Sequence, residues 1–293
     1  MKYFEKHPMG MILIGILGIS MSAILIRYST APSAVTASWR LLWTVILMTP
    51  VVLGKREVCR ELITLDKKTV LLSSISGIFL AIHFWFWFES LRFTTVASAT
   101  TIVCTEVIWV ALGFFFFLKG KLSLKEAAAI GVAFLGSVCI AFADSGTGGT
   151  HLKGDILALL AAVAVAVYML IGRIVRAKVS NNVYTYVVYI ACAAGLLFMC
   201  LVQKQGIFAY GWNGILIGLA LAVFSTILGH SVFSWCLKFF SPSFVSACKL
   251  CEPVVSATLA AFLFGEIPGP VQLAGCVLIL GSVLYYSHLE GKK

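Results

Sequence analysis

Six ionisable side chains fall inside apolar stretches of the chain: Arg40, His83, Glu106, His230, Lys249 and Glu252. Glu106 and Glu252 carry the most chemistry. A carboxylate in the middle of a membrane span costs several kcal/mol, on the order of +3, unless it faces a partner or water. One reading makes each acid a contact for a substrate cation or a protonation site. The other makes the pair a cap for broken backbone, since Pro253 follows Glu252 and removes a helical N–H. Lys249 precedes Glu252 by three residues and shares its face on a continuous helix. The two then neutralise each other, or Lys249 holds a substrate carboxylate while an acid holds an ammonium. His83 and His230 suit proton relay or substrate contact, and equally suit hydrogen-bonded packing. Arg40, near one end of its span, either snorkels to the surface or lines the mouth of a cavity. Glu89 and Arg92, one turn apart, read as a structural pair or a gate.

Aromatic side chains surround these groups. Consecutive residues on a helix point all round, so the run Phe84–Phe88 cannot line one cavity as a whole. Trp85 is expected to join Trp39, Trp109, Tyr168 and Trp235 as wall residues. Aromatic walls with buried acids suit ammonium groups through cation–π contact, and suit apolar amino acids as well. Cys248 and Cys251 form a CxxC that has neither a His nor a second CxxC beside it, so no metal site and no cofactor are expected.

The elements that position these residues are apolar blocks of about 20 residues, the length of a membrane-crossing helix. Of 293 residues, 60% are apolar and 12% charged, and mean hydropathy is +1.01. An ordinary soluble domain carries about 25% charged residues, so the fold class is an all-α polytopic membrane protein. Ten spans are expected, at 9–28, 34–53, 69–90, 94–117, 124–143, 153–175, 183–203, 212–237, 242–264 and 270–288. The first is read as a retained span. Residues 54–68 read as a charged hinge. The net charge of +10 sits between spans, which points to the bilayer rather than to nucleic acid. Sixteen Lys and Arg fall on one side and four on the other. That asymmetry puts both termini in the cytoplasm and the protein in the cytoplasmic membrane.

The chain also repeats itself. Glu106 and Glu252 are 146 positions apart, and at that offset Leu91 meets Leu237, Arg92 meets Lys238 and Thr95 meets Ser241. Gly136–Ser137–Val138 returns as Gly281–Ser282–Val283. Residues 1–143 and 153–293 read as two five-span repeats, with 144–152 as an external linker. Five is odd, so the repeats are inverted, the symmetry of alternating access.

These residues resemble the drug/metabolite transporter superfamily, in its ten-span EamA-like branch. The resemblance is carried by Ser38–Trp39–Arg40–Leu41, by SLRFTTVASATTIVCTEV, by CLKFFSPSFVSACKLCEPV and by Phe264–Gly265–Glu266. It implies a cavity between the halves, lined mainly by spans 1, 3, 4, 6, 8 and 9. The branch commonly has Pro after the span-4 acid; here Val107 follows Glu106, so the first half is expected to be straighter than the second at that depth. The expected function is secondary transport of a small organic metabolite, an amino acid or a related compound, across the membrane. Protons or the membrane potential would drive it, and a monomer or a weak homodimer would suffice. The alternative is a carrier of quaternary or hydrophobic cations. No P-loop pattern is present, and nothing in the chain composes an enzyme site.

Overall fold

The computed structural model describes residues 8–94, 99, 102–144, 152–264 and 269–290. Its described elements are helices: α1 (Pro8–Arg27), α2 (Ser33–Leu53), α3 (Arg56–Ile63), α4 (Lys67–Ser90), α5 (Glu106–Leu118), α6 (Leu124–Asp144), α7 (Leu152–Arg176) and α8 (Asn181–Val202). Then come α9 (Gly211–Leu221), a π-helical segment (Ala222–His230), α10 (Ser231–Cys236), α11 (Pro242–Lys249), α12 (Glu252–Phe264) and α13 (Pro270–Glu290). Seven stretches among the described residues are long and apolar enough to cross a membrane; one of them runs through α9, the π segment and α10 as Gly211–Cys236. The start of the fourth expected span, with Ser98, Thr100 and Thr101, lies partly outside the described residues, as do Gly265, Glu266 and most of the linker 144–152.

Helix starts follow local chemistry. Asp66 caps α4 by accepting from the Thr69 hydroxyl at 2.6 Å and the Thr69 backbone N–H at 3.0 Å, and those bonds hold the Asp66 carboxyl below its ordinary range. Ser241 caps α11 by accepting from the Phe244 N–H at 3.2 Å, with Pro242 as its first helical residue. Side chains distant in sequence finish the job. The Ser180 N–H donates to Glu61 at 2.6 Å and the Ser241 N–H donates to Glu290 at 2.8 Å. The first of these bonds corrects the hinge expected at 54–68. Eight of its residues form the helix α3, and Glu61 ties that helix to the start of α8.

Packing is set by close backbone approach. α4 lies against α7 and α8; a Cβ on Gly77 would stand 2.3 Å from the Val188 carbonyl oxygen, so only glycine fits at that crossing. α6 and α13 pack chiefly on each other, with Gly136 against the backbone of Gly275. Gly131 and Gly281 face open space.

Two expected continuous spans are interrupted. α5 begins at Glu106 after a tight turn at Cys104–Thr105, where the Thr105 N–H bonds to Ile102 O and the Ile108 N–H bonds to Thr105 O. α11 ends at Lys249, and Leu250–Cys251 form the matching turn before α12. The expectation of a straighter first half is therefore overturned: both halves break at the acid. Proline is not what the two share. In both, i→i−3 bonding tightens the chain just before the carboxylate.

Candidate functional site

A central cavity of about 50 Å³ lies at these two breaks. Ile19 and Ser22 come to it from α1, Arg40 from α2, and His83, Phe84 and Trp87 from α4. Val103, Cys104 and Glu106 come from the first break, Ser225 and His230 from the π segment, and Ser246, Lys249, Leu250 and Glu252 from α11 and the second break. Arg40, His83, Glu106, His230, Lys249 and Glu252 thus converge from positions spread over 213 residues of sequence.

The π-helical segment has a local cause and a local effect. α1 crosses it so closely that a Cβ on Gly18 would stand 2.7 Å from Phe224 O and 2.8 Å from Gly229 N. The widened turn brings Ser225 and His230 to the cavity and lets the Thr226 hydroxyl reach Leu221 O at 3.3 Å, five residues back.

The charges are unevenly paired. Lys249 Nζ donates to Glu106 Oε1 at 2.5 Å, joining the second half of the chain to the first. The expected pairing of Lys249 with Glu252 is corrected: the turn at Leu250–Cys251 ends their shared helical face, and Lys249 reaches across the cavity instead. Among the described residues no ion pair is made by Glu252 or by Arg40. Arg40 does not snorkel. It is 1% exposed, its Nε donates to the Thr226 hydroxyl at 2.7 Å, and its Cζ lies 4.1 Å from the Phe84 ring centre. The physical reason is packing: α8, α9 and the π segment cover the face of α2 that carries it.

Both histidines are buried in the wall. His83 Nδ1 donates to Ala161 O at 3.0 Å; a carbonyl only accepts, so the proton sits on Nδ1. Its ring stacks on Trp87 at 6.3 Å and lies 6.3 Å from the ring of His230.

The aromatic expectations divide. Trp87 and Phe84 line the cavity, and sequence reasoning did not single them out. A helical wheel anchored on His83 would have found Trp87, four residues on. Tyr168 does not reach the central cavity. It borders a smaller pocket that shares His230 and Lys249 with it. Trp39 donates its indole N–H to Ile207 O at 2.9 Å and packs on Phe208. Trp85 stacks on Phe86, and Trp235 lies against Phe239 at 4.5 Å. Trp109 is 37% exposed on the outside of the bundle. None of these last four lines the cavity. α2 contributes to the walls although the resemblance did not name span 2, and α7 reaches only the smaller pocket.

Beyond Trp87 the bundle widens into a vestibule of about 520 Å³, bordered by Thr30, Pro32, Arg92, Gln205 and Tyr210. Trp87 lines both spaces and so separates them. Arg92 sits at this rim, 3.3 Å from Glu89. At the opposite end, Arg173 of α7 donates to the carbonyls of Leu237 and Phe240, the latter at 3.2 Å. Arg176 donates to those of Val179 and Ser234, the latter at 3.2 Å. Charge-assisted bonds to main-chain carbonyls thus tie the end of α7 to α10 and to the connection that follows α10.

Cys248 and Cys251 are free thiols. No group of three or more metal-ligating side chains occurs among the described residues.

Comparison with known proteins is consistent with this architecture. The family model described as EamA-like transporter family matches twice, over residues 8–142 and 152–287. The chain is 27% identical to the uncharacterized transporter YxxF of Bacillus subtilis over 233 residues, 78% of this chain and 73% of that one. It is 29% identical over 218 residues to a probable amino-acid metabolite efflux pump of Salmonella typhimurium, covering 69% of this chain and 71% of the pump. A solved crystal structure superposes with a TM-score of 0.80 at 19% identity, covering 98% of both chains, which shows the fold alone.

Proposed function

The chain belongs to the EamA-like transporter family and is a multi-pass membrane transporter rather than an enzyme, and on that premise we propose that it moves an amino acid or a related small metabolite by alternating access. The observation that carries the reading is the cavity between the two breaks, where an acid from each half meets one compartment and Lys249 clasps the acid of the other half. Ten spans in two inverted repeats, with both termini cytoplasmic, follow from the 146-residue offset and the Lys and Arg distribution. In that orientation the vestibule opens outward, Trp87 lies between it and the cavity, and Arg173 and Arg176 close the cytoplasmic end.

The mechanism follows from charge. Glu106 and Lys249 neutralise each other, which lowers the cost of holding either in the bilayer. An ammonium group entering the cavity meets Glu252, the cavity acid without an ion-pair partner among the described residues. Reversing the halves strains the Glu106–Lys249 contact, because the contact crosses between them. Protonation of a carboxylate would release it, which couples transport to protons or to the membrane potential. The name of the Salmonella relative supports a metabolite substrate and export as the direction.

The cation-carrier alternative draws less support. Its proposed cage residues Trp85 and Trp109 lie away from the cavity, and the Phe84 ring already faces the Arg40 guanidinium. The test is counterflow in proteoliposomes with the wild type, Glu106→Gln and Glu252→Gln, using radiolabelled amino acids at two pH values. Saturable exchange that is lost or made pH-insensitive in the variants supports the reading. Wild-type rates and pH dependence in both variants sink the carboxylate mechanism.

A further inference from the structure

Arg40 is a buried charge without an ion-pair partner among the described residues. Its guanidinium is buried at 1% exposure and is always protonated at neutral pH. Thr226 occupies Nε at 2.7 Å, while the buried Nη1 has no hydrogen-bond partner. No acid lies within ion-pair distance of it among the described residues. Leaving a buried donor and a buried charge unmatched is expensive, so such groups point to a missing acceptor.

Two further polar groups share its situation. The Ser22 hydroxyl from α1 and the Ser225 hydroxyl from the π segment are buried without hydrogen-bond partners, and both residues line the same cavity as Arg40. Three residues from three helices, each with a buried donor that has no partner, therefore line one cavity. The acceptor that suits a guanidinium edge with hydroxyls nearby is a planar, singly charged pair of oxygens. Lys249, the other cation in the cavity, is already taken by Glu106 at 2.5 Å.

We propose that Arg40, with Ser22 and Ser225, is the receptor for a carboxylate on the transported molecule. The assignment rests on the cavity being the transport site and names the group that site recognises. A zwitterion then spans the cavity, its carboxylate on Arg40 and its ammonium toward Glu252, and brings one opposite charge to each unpaired residue. Positioning is built in: Thr226 fixes Nε, and the Phe84 ring beneath Cζ holds the guanidinium plane.

Calorimetric titration of the purified full-length protein in nanodiscs tests this. The probes are the twenty amino acids, the primary amide of each, and the amine-free acids 4-methylpentanoate and 3-phenylpropanoate. The wild type is expected to bind at least one amino acid, and its amide on the order of 10- to 100-fold more weakly. Arg40→Gln should erase the acid-over-amide preference, and Arg40→Lys should keep part of it. If Arg40→Gln does not fold, Thr226→Val, which frees Nε, should reduce the preference several-fold without weakening amide binding. Equal binding of acid and amide by the wild type overturns the assignment. So does an unchanged preference in Arg40→Gln or, where that variant does not fold, in Thr226→Val. Binding of the amine-free acids alone would keep Arg40 as the receptor and discard the amino-acid reading. Binding of amides alone would discard the receptor and keep a transport cavity. A panel without any binder overturns both.

Discussion

Glu106 and Glu252 occupy equivalent places in the two halves. Each follows a two-residue turn, each begins a helix, and each borders the same cavity. They differ in their partners. Glu106 is 4% exposed and holds Lys249 at 2.5 Å. Glu252 is only half-buried and has no ion-pair partner among the described residues. Duplication has preserved the backbone device, while side chains have made one copy a closed pair and left the other available. The same backbone break therefore carries two arrangements: a contact between halves at Glu106, and at Glu252 a cavity-lining acid that makes no ion pair among the described residues.

The strongest way to break this comparison is Lys249→Met. Glu106 is then an unpaired acid in a buried site, which costs on the order of 3–5 kcal/mol. We expect a large fall in melting temperature and loss of transport, with stability restored in Lys249→Met/Glu106→Gln but transport still absent. If Lys249→Met alone melts like the wild type, the pair contributes nothing to the fold. Glu252→Gln should behave in the opposite way, with transport reduced at least tenfold and melting close to wild type. Equal stability losses for Glu252→Gln and Glu106→Gln would erase the distinction.

A substitution at a close helix crossing probes the frame rather than the charges. Gly18→Leu forces α1 away from the π segment, at a cost of about 1–3 kcal/mol, and displaces Ser225. Melting and substrate affinity should fall together. Trp109→Leu should leave both uptake and ligand affinity unchanged, because the ring lies outside the bundle; a weakened cation affinity would revive the aromatic cage.

The smallest effect concerns Asp66, outside the spans. Its carboxyl is held below the ordinary range by bonds from Thr69, so its capping contribution is fully present above the unfolded value of about 3.9. It is lost as pH falls through the lower folded value. Melting of the wild type and of Asp66→Ala should differ slightly at neutral pH and converge in acid. A gap that widens on acidification would reverse the sign.

Much of the lining of the candidate site was legible in the sequence as a set of misplaced charges. Lys249, Glu106, Glu252, His83 and His230 stood out because ionisable groups are costly in apolar spans, and all five border the cavity. Their pairing was not legible. A three-residue spacing predicts contact only along an unbroken helix, and the turn at Leu250–Cys251 removes that premise. The matching turn before Glu106 was missed because it contains no Pro or Gly to announce it. The aromatic residues were the least legible: an indole meets similar apolar surroundings in lipid, in a packed core and at a cavity wall, so composition does not separate Trp87 from Trp109. Only the crossing of α4 with its neighbours decides which ring faces inward.

The sequence by itself determined the all-helical membrane architecture, the two-repeat organisation and which charges fall in apolar stretches, because hydrophobic length and the cost of burying charge act on each span separately. The tertiary structure decided which charges meet. Lys249 and Glu106 are 143 residues apart, and Arg40 and Thr226 are 186 apart. Contacts over such separations depend on helix rotation, on the π-helical widening and on glycine-sized crossings, none of which a single span encodes.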